Sequence, residues 1–430
     1  MLADNIQTRD GTLYFAGHNT VQLAQKYGTP LYLMDETRIR ENCRMYLRAF
    51  RRHFGENARP LYASKAASFK RMYEIMRSEG MGVDVVSAGK IHTAALAGFP
   101  MEQAYFHGNN KTDAEIQYAI GQGVGYFVAD NHEELDAINR IAGALGKQQR
   151  VLLRLTPGID PHTYEAVDTG KVDSKFGAAI ETGQAEALFQ CARALPNVTL
   201  VGFHCHVGSQ VFDEDVFERA GQIMLEFVAL LRNRYGFATQ QLDLGGGYGV
   251  RYCESDKQVD IEQRIGEVAS SLKASAAALG IPLPTILMEP GRSIVADAGM
   301  TLYTVGTVKR IPGYKNYVSV DGGMTDNPRY ALYGSAYTVY AADRMDEPAV
   351  LHCDVVGRCC ESGDIIQPKV VLPDIRRGDL LAVCTTGAYN YSMASNYNRV
   401  ARPPVVMLTP ERDTLAVRRE TLEQLTENDI

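Results

Sequence analysis

From residue 60 onward, short apolar runs alternate with longer stretches whose apolar side chains recur every three or four positions. Short runs bounded by turn residues read as buried strands, and the longer stretches read as amphipathic helices. The pattern predicts strands over 61–64, 83–86, 104–106, 126–129, 151–155, 200–205, 242–244 and 286–288. It predicts helices over 113–121, 131–145, 184–194, 216–235 and 261–279 between them. Such alternation implies parallel strands joined by right-handed crossovers, and eight units over roughly 250 residues match a closed (β/α)8 barrel. A doubly wound sheet has the same rhythm, but its glycine-rich turn belongs to the first βα unit. Here the turn Gly245-Gly246-Gly247 follows the seventh strand, where barrels commonly bind phosphate.

After about residue 292 the rhythm stops. Segments 301–309, 317–320, 349–356, 380–384, 404–408 and 414–418 read as strands with little helix between them, which predicts a second, mostly antiparallel β domain. A strand over 31–35 and a helix from Glu36 to about Phe54 precede the first barrel unit. The expected division is an α/β barrel domain over 31–292 and a β-rich domain over 293–430, joined by the polar, turn-rich residues 1–30. The charged tail from Arg418 to Ile430 is expected to fray.

Composition narrows the class. The chain has 430 residues, 45% of them apolar and 22% charged, enough for more than one ordinary globular domain. A net charge of -7 argues against a nucleic-acid partner, and no apolar run is long enough to span a bilayer. The start, Met1-Leu2-Ala3-Asp4-Asn5, lacks the basic and apolar segments of a secretory signal. With eight cysteines scattered in no framework spacing, this predicts reduced thiols and a cytoplasmic location. His204 and His206 lie two apart with no second cluster nearby in sequence, so no metal site is expected.

Barrels place their working groups at the C-terminal strand ends. Lys65 ends the first strand, Asp84 lies in the second, His107 ends the third and Arg154 the fifth. A lysine closing an apolar strand either reaches for solvent, the commoner case, or serves as a nucleophile toward an aldehyde cofactor, its amine pKa lowered by partial burial. The triple-glycine turn offers backbone N–H groups to phosphate oxygens, although glycine clusters also make plain turns; Ser209 can add a hydroxyl. Glu289, after the eighth strand, either pairs with Arg292 or holds a protonated ring nitrogen. His206 either stacks on a flat cofactor or is a core histidine satisfied by backbone.

Together these pieces resemble the group IV amino-acid decarboxylases of the alanine-racemase-like fold (PLP fold type III), which use pyridoxal 5'-phosphate (PLP). Tyr62-Ala63-Ser64-Lys65-Ala66 is similar to that family's cofactor-lysine motif. Leu242-Asp243-Leu244-Gly245-Gly246-Gly247-Tyr248-Gly249 is similar to its second signature, and Glu289-Pro290-Gly291-Arg292 to its ring-nitrogen and phosphate element. The resemblance runs collinearly from about residue 30 to 400. Within the family the likeness is greatest to the branch that converts meso-2,6-diaminopimelate to L-lysine and CO2. It is carried by Phe106-His107-Gly108-Asn109-Asn110-Lys111, Thr169-Gly170, Ser174-Lys175-Phe176-Gly177, His204-Cys205-His206-Val207-Gly208-Ser209-Gln210, Asp321-Gly322-Gly323-Met324, Cys360-Glu361-Ser362-Gly363-Asp364 and Gly387-Ala388-Tyr389. The chain departs from many relatives at Ala67 and around Asn327-Pro328-Arg329-Tyr330.

The resemblance implies roles residue by residue. Lys65 would bind PLP as an imine. Asp84, Arg154 and His206 would position it, and Ser209, Gly246, Gly247, Gly291, Arg292 and Tyr389 would hold its phosphate. Glu289 would face the ring nitrogen, and Cys360, from the other subunit of a homodimer, would return a proton. Arg292, Arg329 and Tyr333 would bind the substrate's far carboxylate and Glu361 its ammonium, with Tyr389 also contacting substrate. Alternatives are a decarboxylase of ornithine, arginine or lysine, and a catalytically silent PLP-binding homologue.

Overall fold

The computed structural model describes residues 2–56, 58–159, 174–213 and 215–430. By its internal contacts the chain divides into two units. One comprises Cys43–Gly249 and Val259–Ser293, the other Met1–Asn42, Val250–Gln258 and Ile294–Ile430.

Among the described residues the first unit holds eight parallel barrel strands, Arg59–Ala63, Gly82–Val85, Ala104–Phe106, Tyr126–Ala129, Gln149–Thr156, Val198–His204, Gln241–Asp243 and Thr285–Met288, with a two-residue strand, Ala178–Ala179, added parallel to the fifth. The first pairs with the second and the eighth, and the fourth with the fifth, so the sheet closes on itself. Every expected barrel strand is present, with ends shifted by at most two residues. Parallel strands covered on both faces need apolar side chains throughout, which is why they stood out as continuous runs. Leu61, Tyr105, Val128, Leu152, Val201 and Leu287, each from a different strand, form a buried cluster. The crossover helices include Asp113–Gly121, Gln184–Ala194 and Val216–Tyr235, with the bounds that periodicity predicts. Asp113–Gly121 is fixed at its start by a capping box between Thr112 and Glu115.

The second unit is a sheet in the order Ile365–Leu372, Leu351–Val356, Lys315–Val320, Gly299–Ile311, Leu31–Asp35, Val405–Thr409 and Arg412–Val417. Leu380–Cys384 pairs with Gly299–Ile311 and with Val339–Ala341. Two pairings in this unit are parallel, Lys315–Val320 with Leu351–Val356 and Leu31–Asp35 with Val405–Thr409. The strand Leu31–Asp35 therefore lies in the second unit, not in the barrel domain that was expected to begin at residue 31. All five of its residues are buried, and a fully buried strand carries the same apolar run in either sheet. Residues 1–30, polar and turn-rich in sequence and expected to join the β-rich domain, form a small sheet of Ile6–Arg9, Thr12–Phe15 and His18–Asn19 and a helix, Thr20–Tyr27, capped by Asn19. Their sparse apolar residues Ile6, Leu13, Phe15 and Leu23 share a core with Leu31, Leu33, Met300, Leu302 and Val406. The tail contains a short helix, Leu422–Thr426, capped by Thr421, where fraying was expected.

Candidate active site

The site is built at the C-terminal ends of the barrel strands. Ala63 N donates to Pro290 O at 3.0 Å and Ser64 N to Asp84 O at 3.2 Å, which ties the end of the first strand to its neighbours on both sides. The Tyr62 hydroxyl donates to Ala67 O at 2.8 Å and closes the turn that presents Lys65. The Lys65 Nζ is 3.6 Å from Asp84 Oδ2; the lysine side chain is 38% exposed and the aspartate fully buried. Neither Asp84 oxygen has a hydrogen-bond donor, so the ion pair with Lys65 is what offsets the desolvation of that carboxylate.

A second amine stands nearby, which the sequence reading passed over. Lys90 Nζ donates to Ser64 O at 3.0 Å. Burial pushes its pKa down to about 8, with Asp84 opposing and Lys65 adding to the shift. The folded value lies below the unfolded value, so the charged lysine costs stability below pH 8, and that cost disappears as pH rises toward 10.5. In cofactor-free protein, the unfolding free energy should rise relative to Lys90→Met across that window, by up to about 3 kcal/mol. Parallel pH dependences in the two proteins would contradict this.

The glycines form a close-walled cradle. A Cβ on Gly246 would lie 2.0 Å from Glu289 O, one on Gly247 (φ +132°) 2.2 Å from Gly208 O, and one on Gly291 2.9 Å from the Ala63 Cβ. The small Ala63 and Ala66 of the lysine motif are what let Gly291 approach. Arg292 donates to Ser209 Oγ through Nη2 at 3.0 Å and Nε at 3.3 Å. His206 lies beyond the sixth strand, and its Nδ1 accepts from Gly246 N at 3.2 Å. Burial and the nearby Lys65 hold its pKa well below the usual imidazole range, so the ring is neutral.

Glu289 is buried, with His107 Nε2 at 2.8 Å and His204 Nε2 at 3.5 Å from the same oxygen, Oε1. Burial alone would raise its pKa, but the two imidazoles outweigh it and hold the carboxyl well below its ordinary range. Arg154, in the fifth strand, stacks 4.2 Å above Phe176 and lies 4.0 Å from Asp130. Gly177 N donates to Asp130 at 3.0 Å, so Ser174-Lys175-Phe176-Gly177 is tied to this arginine. Thr169-Gly170 lies outside the described residues. A glycine cradle beside Ser209 and Arg292, an amine on a strand end and a buried carboxylate fit the phosphate, aldehyde and ring nitrogen of PLP.

The family described as "Pyridoxal-dependent decarboxylase, pyridoxal binding domain" matches residues 36–296. The diaminopimelate decarboxylase of Bacillus subtilis (strain 168) is 42% identical over 424 residues, 99% of this chain and 96% of that one. The chain belongs to the diaminopimelate decarboxylases. Solved structures agree. Diaminopimelate decarboxylase from M. jannaschii in co-complex with L-lysine superposes with a TM-score of 0.91 at 33% identity, covering 99% of this chain and 98% of that one. The Helicobacter pylori diaminopimelate decarboxylase complexed with L-lysine gives 0.86 at 31% identity, covering 95% and 98%. As a member of this family the chain is a PLP-dependent carboxy-lyase.

The remaining residues indicated by the family resemblance lie in the second unit. Arg329 opens the helix Arg329–Tyr333 and is buried. It donates to Ser335 Oγ at 3.3 Å, and its guanidinium carbon lies 5.3 Å from the Tyr333 ring and 5.4 Å from the Tyr389 ring. Its Nε has no hydrogen-bond partner. Cys360 and Glu361 are exposed on a loop organised by a residue to which sequence reasoning gave no role. Asp364 accepts from Met324 N at 2.6 Å and Cys359 N at 2.8 Å. Burial and Asp364 push the Cys359 thiol up to about 11. A second carboxyl, Asp326, accepts from Gly323 N at 2.9 Å and from the Tyr303 hydroxyl. These two acids fix the Gly322-Gly323-Met324 turn from both sides. Asp364 closes one of the motifs and Asp326 lies in none; each braces a nearby turn, and Asp364 also reaches Met324 N forty residues away.

Proposed function

We propose that this enzyme converts meso-2,6-diaminopimelate to L-lysine and CO2, the last step of lysine biosynthesis, and that it works in the cytoplasm as a homodimer. The carrying observation is Arg329. A buried guanidinium with an orphaned N–H between two tyrosines is suited to an anionic group. Diaminopimelate brings a second carboxylate; ornithine, arginine and lysine do not. Glu361 suits the ammonium at that end.

When bound, PLP supplies an electron sink for the pair left when the Cα–carboxylate bond breaks. Lys65 would hold the cofactor through its aldehyde. Asp84 keeps the Lys65 amine in place. Ser209, Gly246, Gly247, Gly291 and Arg292 would hold the phosphate, and the family resemblance adds Tyr389. His206 would flank the ring, Arg154 would position the cofactor, and Glu289 would accept from its ring nitrogen. Cys360, contributed by the second subunit, holds at Sγ the proton that replaces the lost carboxylate. Its exposure on the Asp364-braced loop supports a role across a subunit boundary. All eight cysteines are free, which suits a reducing compartment. Among the described residues, no helix is long and apolar enough to cross a membrane.

The direct test is CO2 release from meso-diaminopimelate set against ornithine, arginine and lysine. Turnover of a mono-carboxylate diamine precursor in preference to diaminopimelate would overturn the substrate. Arg329→Ala should raise KM for diaminopimelate with kcat little changed, by a factor matching about 2–3 kcal/mol for a lost charge-assisted hydrogen bond. An unchanged KM would move the far carboxylate elsewhere.

A further inference from the structure

Glu289 is surrounded by groups that the mechanism above does not use. His107 and His204 come from the third and sixth strand ends, and their rings meet edge to face, centroids 4.9 Å apart at 73°. A neutral imidazole carries one N–H. For both rings to stabilise a carboxylate, each must present Nε2–H, which leaves each Nδ1 as an acceptor only. His204 Nδ1 and Nε2, His107 Nε2 and Glu289 Oε1 are all buried and none completes a hydrogen bond, so the 2.8 Å and 3.5 Å approaches to Oε1 are close polar contacts that a small ring rotation would close. Burial pulls the His204 pKa down to about 3, so that ring stays neutral.

Asp243, the last residue of the seventh strand, is the second carboxyl here. Its Oδ1 accepts from Gly245 N at 2.9 Å, and its Oδ2 has no hydrogen-bond partner. Two adjacent buried carboxyls do not both ionise. Burial and the Glu289 charge raise Asp243 well above its usual range, so the single charge rests on Glu289. Arg154, Asp84, Lys65, Lys90 and Asp130 are further charged groups in this part of the barrel. The loop bearing His107 is itself pinned. His107 N donates to Val85 O at 2.8 Å. Lys111, its side chain 1% exposed, donates to Gly108 O at 2.9 Å, Val128 O at 2.7 Å and Glu134 at 2.7 Å.

We propose that His107 and His204 are positioning residues whose Nε2 atoms face one oxygen of Glu289, so that the carboxylate stays ionised and its other oxygen is left as an acceptor for the ring nitrogen of the cofactor. The proposal rests on the reading that PLP binds here with Glu289 at its ring nitrogen. Without the two donors, Glu289 is free to take the proton from the ring, and an uncharged ring is a weaker sink for electrons. Asp243, kept as an acid, prevents a second negative charge from competing for that proton.

Holoenzyme loaded with PLP carrying an isotopic label at the ring nitrogen reports the position of the proton by NMR. The unaltered enzyme and His107→Gln, which keeps a side-chain N–H donor, should show the protonated-ring signal. His107→Phe and His204→Phe should move it toward the unprotonated value, with bound PLP unchanged. In those variants kcat should fall roughly tenfold or more and KM should move less than about twofold. A signal unmoved in the Phe variants, or moved as far by Gln as by Phe, overturns the proposal. If the Phe variants do not fold, the histidine side-chain nitrogens of the unaltered holoenzyme decide: both rings must be neutral Nε2–H tautomers, and an Nδ1–H tautomer or an imidazolium at either overturns it. The ligand atoms of His107, His204 and Glu289 lie within 4.8 Å of one another, so one bound transition metal per chain would also overturn it. Unaltered protein that takes up no PLP would instead sink the cofactor reading beneath it.

Discussion

Lys65→Ala protein should purify without the visible absorbance of a lysine-bound cofactor and should release no measurable CO2 from meso-diaminopimelate. The expectation follows from a single position. The residues behind Lys65 are tied to the second and eighth strand ends by backbone hydrogen bonds, and Asp84 holds its amine at 3.6 Å. Lys90, the other amine close by, is engaged with Ser64 O, so it is not placed to substitute. Alanine also removes the positive charge that accompanies the buried Asp84, so some loss of stability accompanies the loss of function. Circular dichroism and thermal unfolding separate the two effects. Retained turnover by a folded Lys65→Ala protein would remove the lysine from the mechanism.

Cys360→Ala should bind PLP as the unaltered enzyme does and lose about 10²- to 10⁴-fold in kcat, the usual worth of a positioned proton donor. The neighbouring thiol is a poor replacement: Cys359 turns its backbone N–H to Asp364, and burial beside that acid pushes its thiol up to about 11. Loss of cofactor in Cys360→Ala would make the residue structural. Because the donor is assigned to the second subunit, mixing Lys65→Ala and Cys360→Ala chains under conditions that exchange subunits should restore turnover. Two inactive preparations that remain inactive on mixing would place donor and lysine in one chain.

The barrel was legible because parallel strands are apolar from end to end, and its eight units needed nothing but that rhythm. The second unit was less so. Ile365–Leu372 gave no strand signal because Gln367-Pro368-Lys369 interrupts it, with Lys369 at φ +55°. The N-terminal strands contribute few buried side chains each, and their core comes from residues some three hundred positions later. At the site, the residues with a chemical identity of their own, Lys65, Glu289 and the triple glycine, could be found in sequence. Residues defined by what surrounds them could not. His107, His204 and Asp243 are ordinary strand-end residues until the closed barrel places them around one carboxylate, and Lys90 is an ordinary helix lysine until its amine reaches Ser64 O. Arg329 could be named, but its burial between two tyrosines could not.

The placement of Leu31–Asp35 between Gly299–Ile311 and Val405–Thr409 bears on how the molecule is made. A ribosome releases this strand near the beginning and its partners near the end, a delay on the order of tens of seconds at ordinary translation speeds. Throughout that interval a largely apolar segment has no edge to pair with, the condition under which nascent chains stick to one another. Truncating the gene before the codons for 405–409 would leave the same segment permanently without one of its two neighbours, so the C-terminal codons govern the solubility of residues translated first.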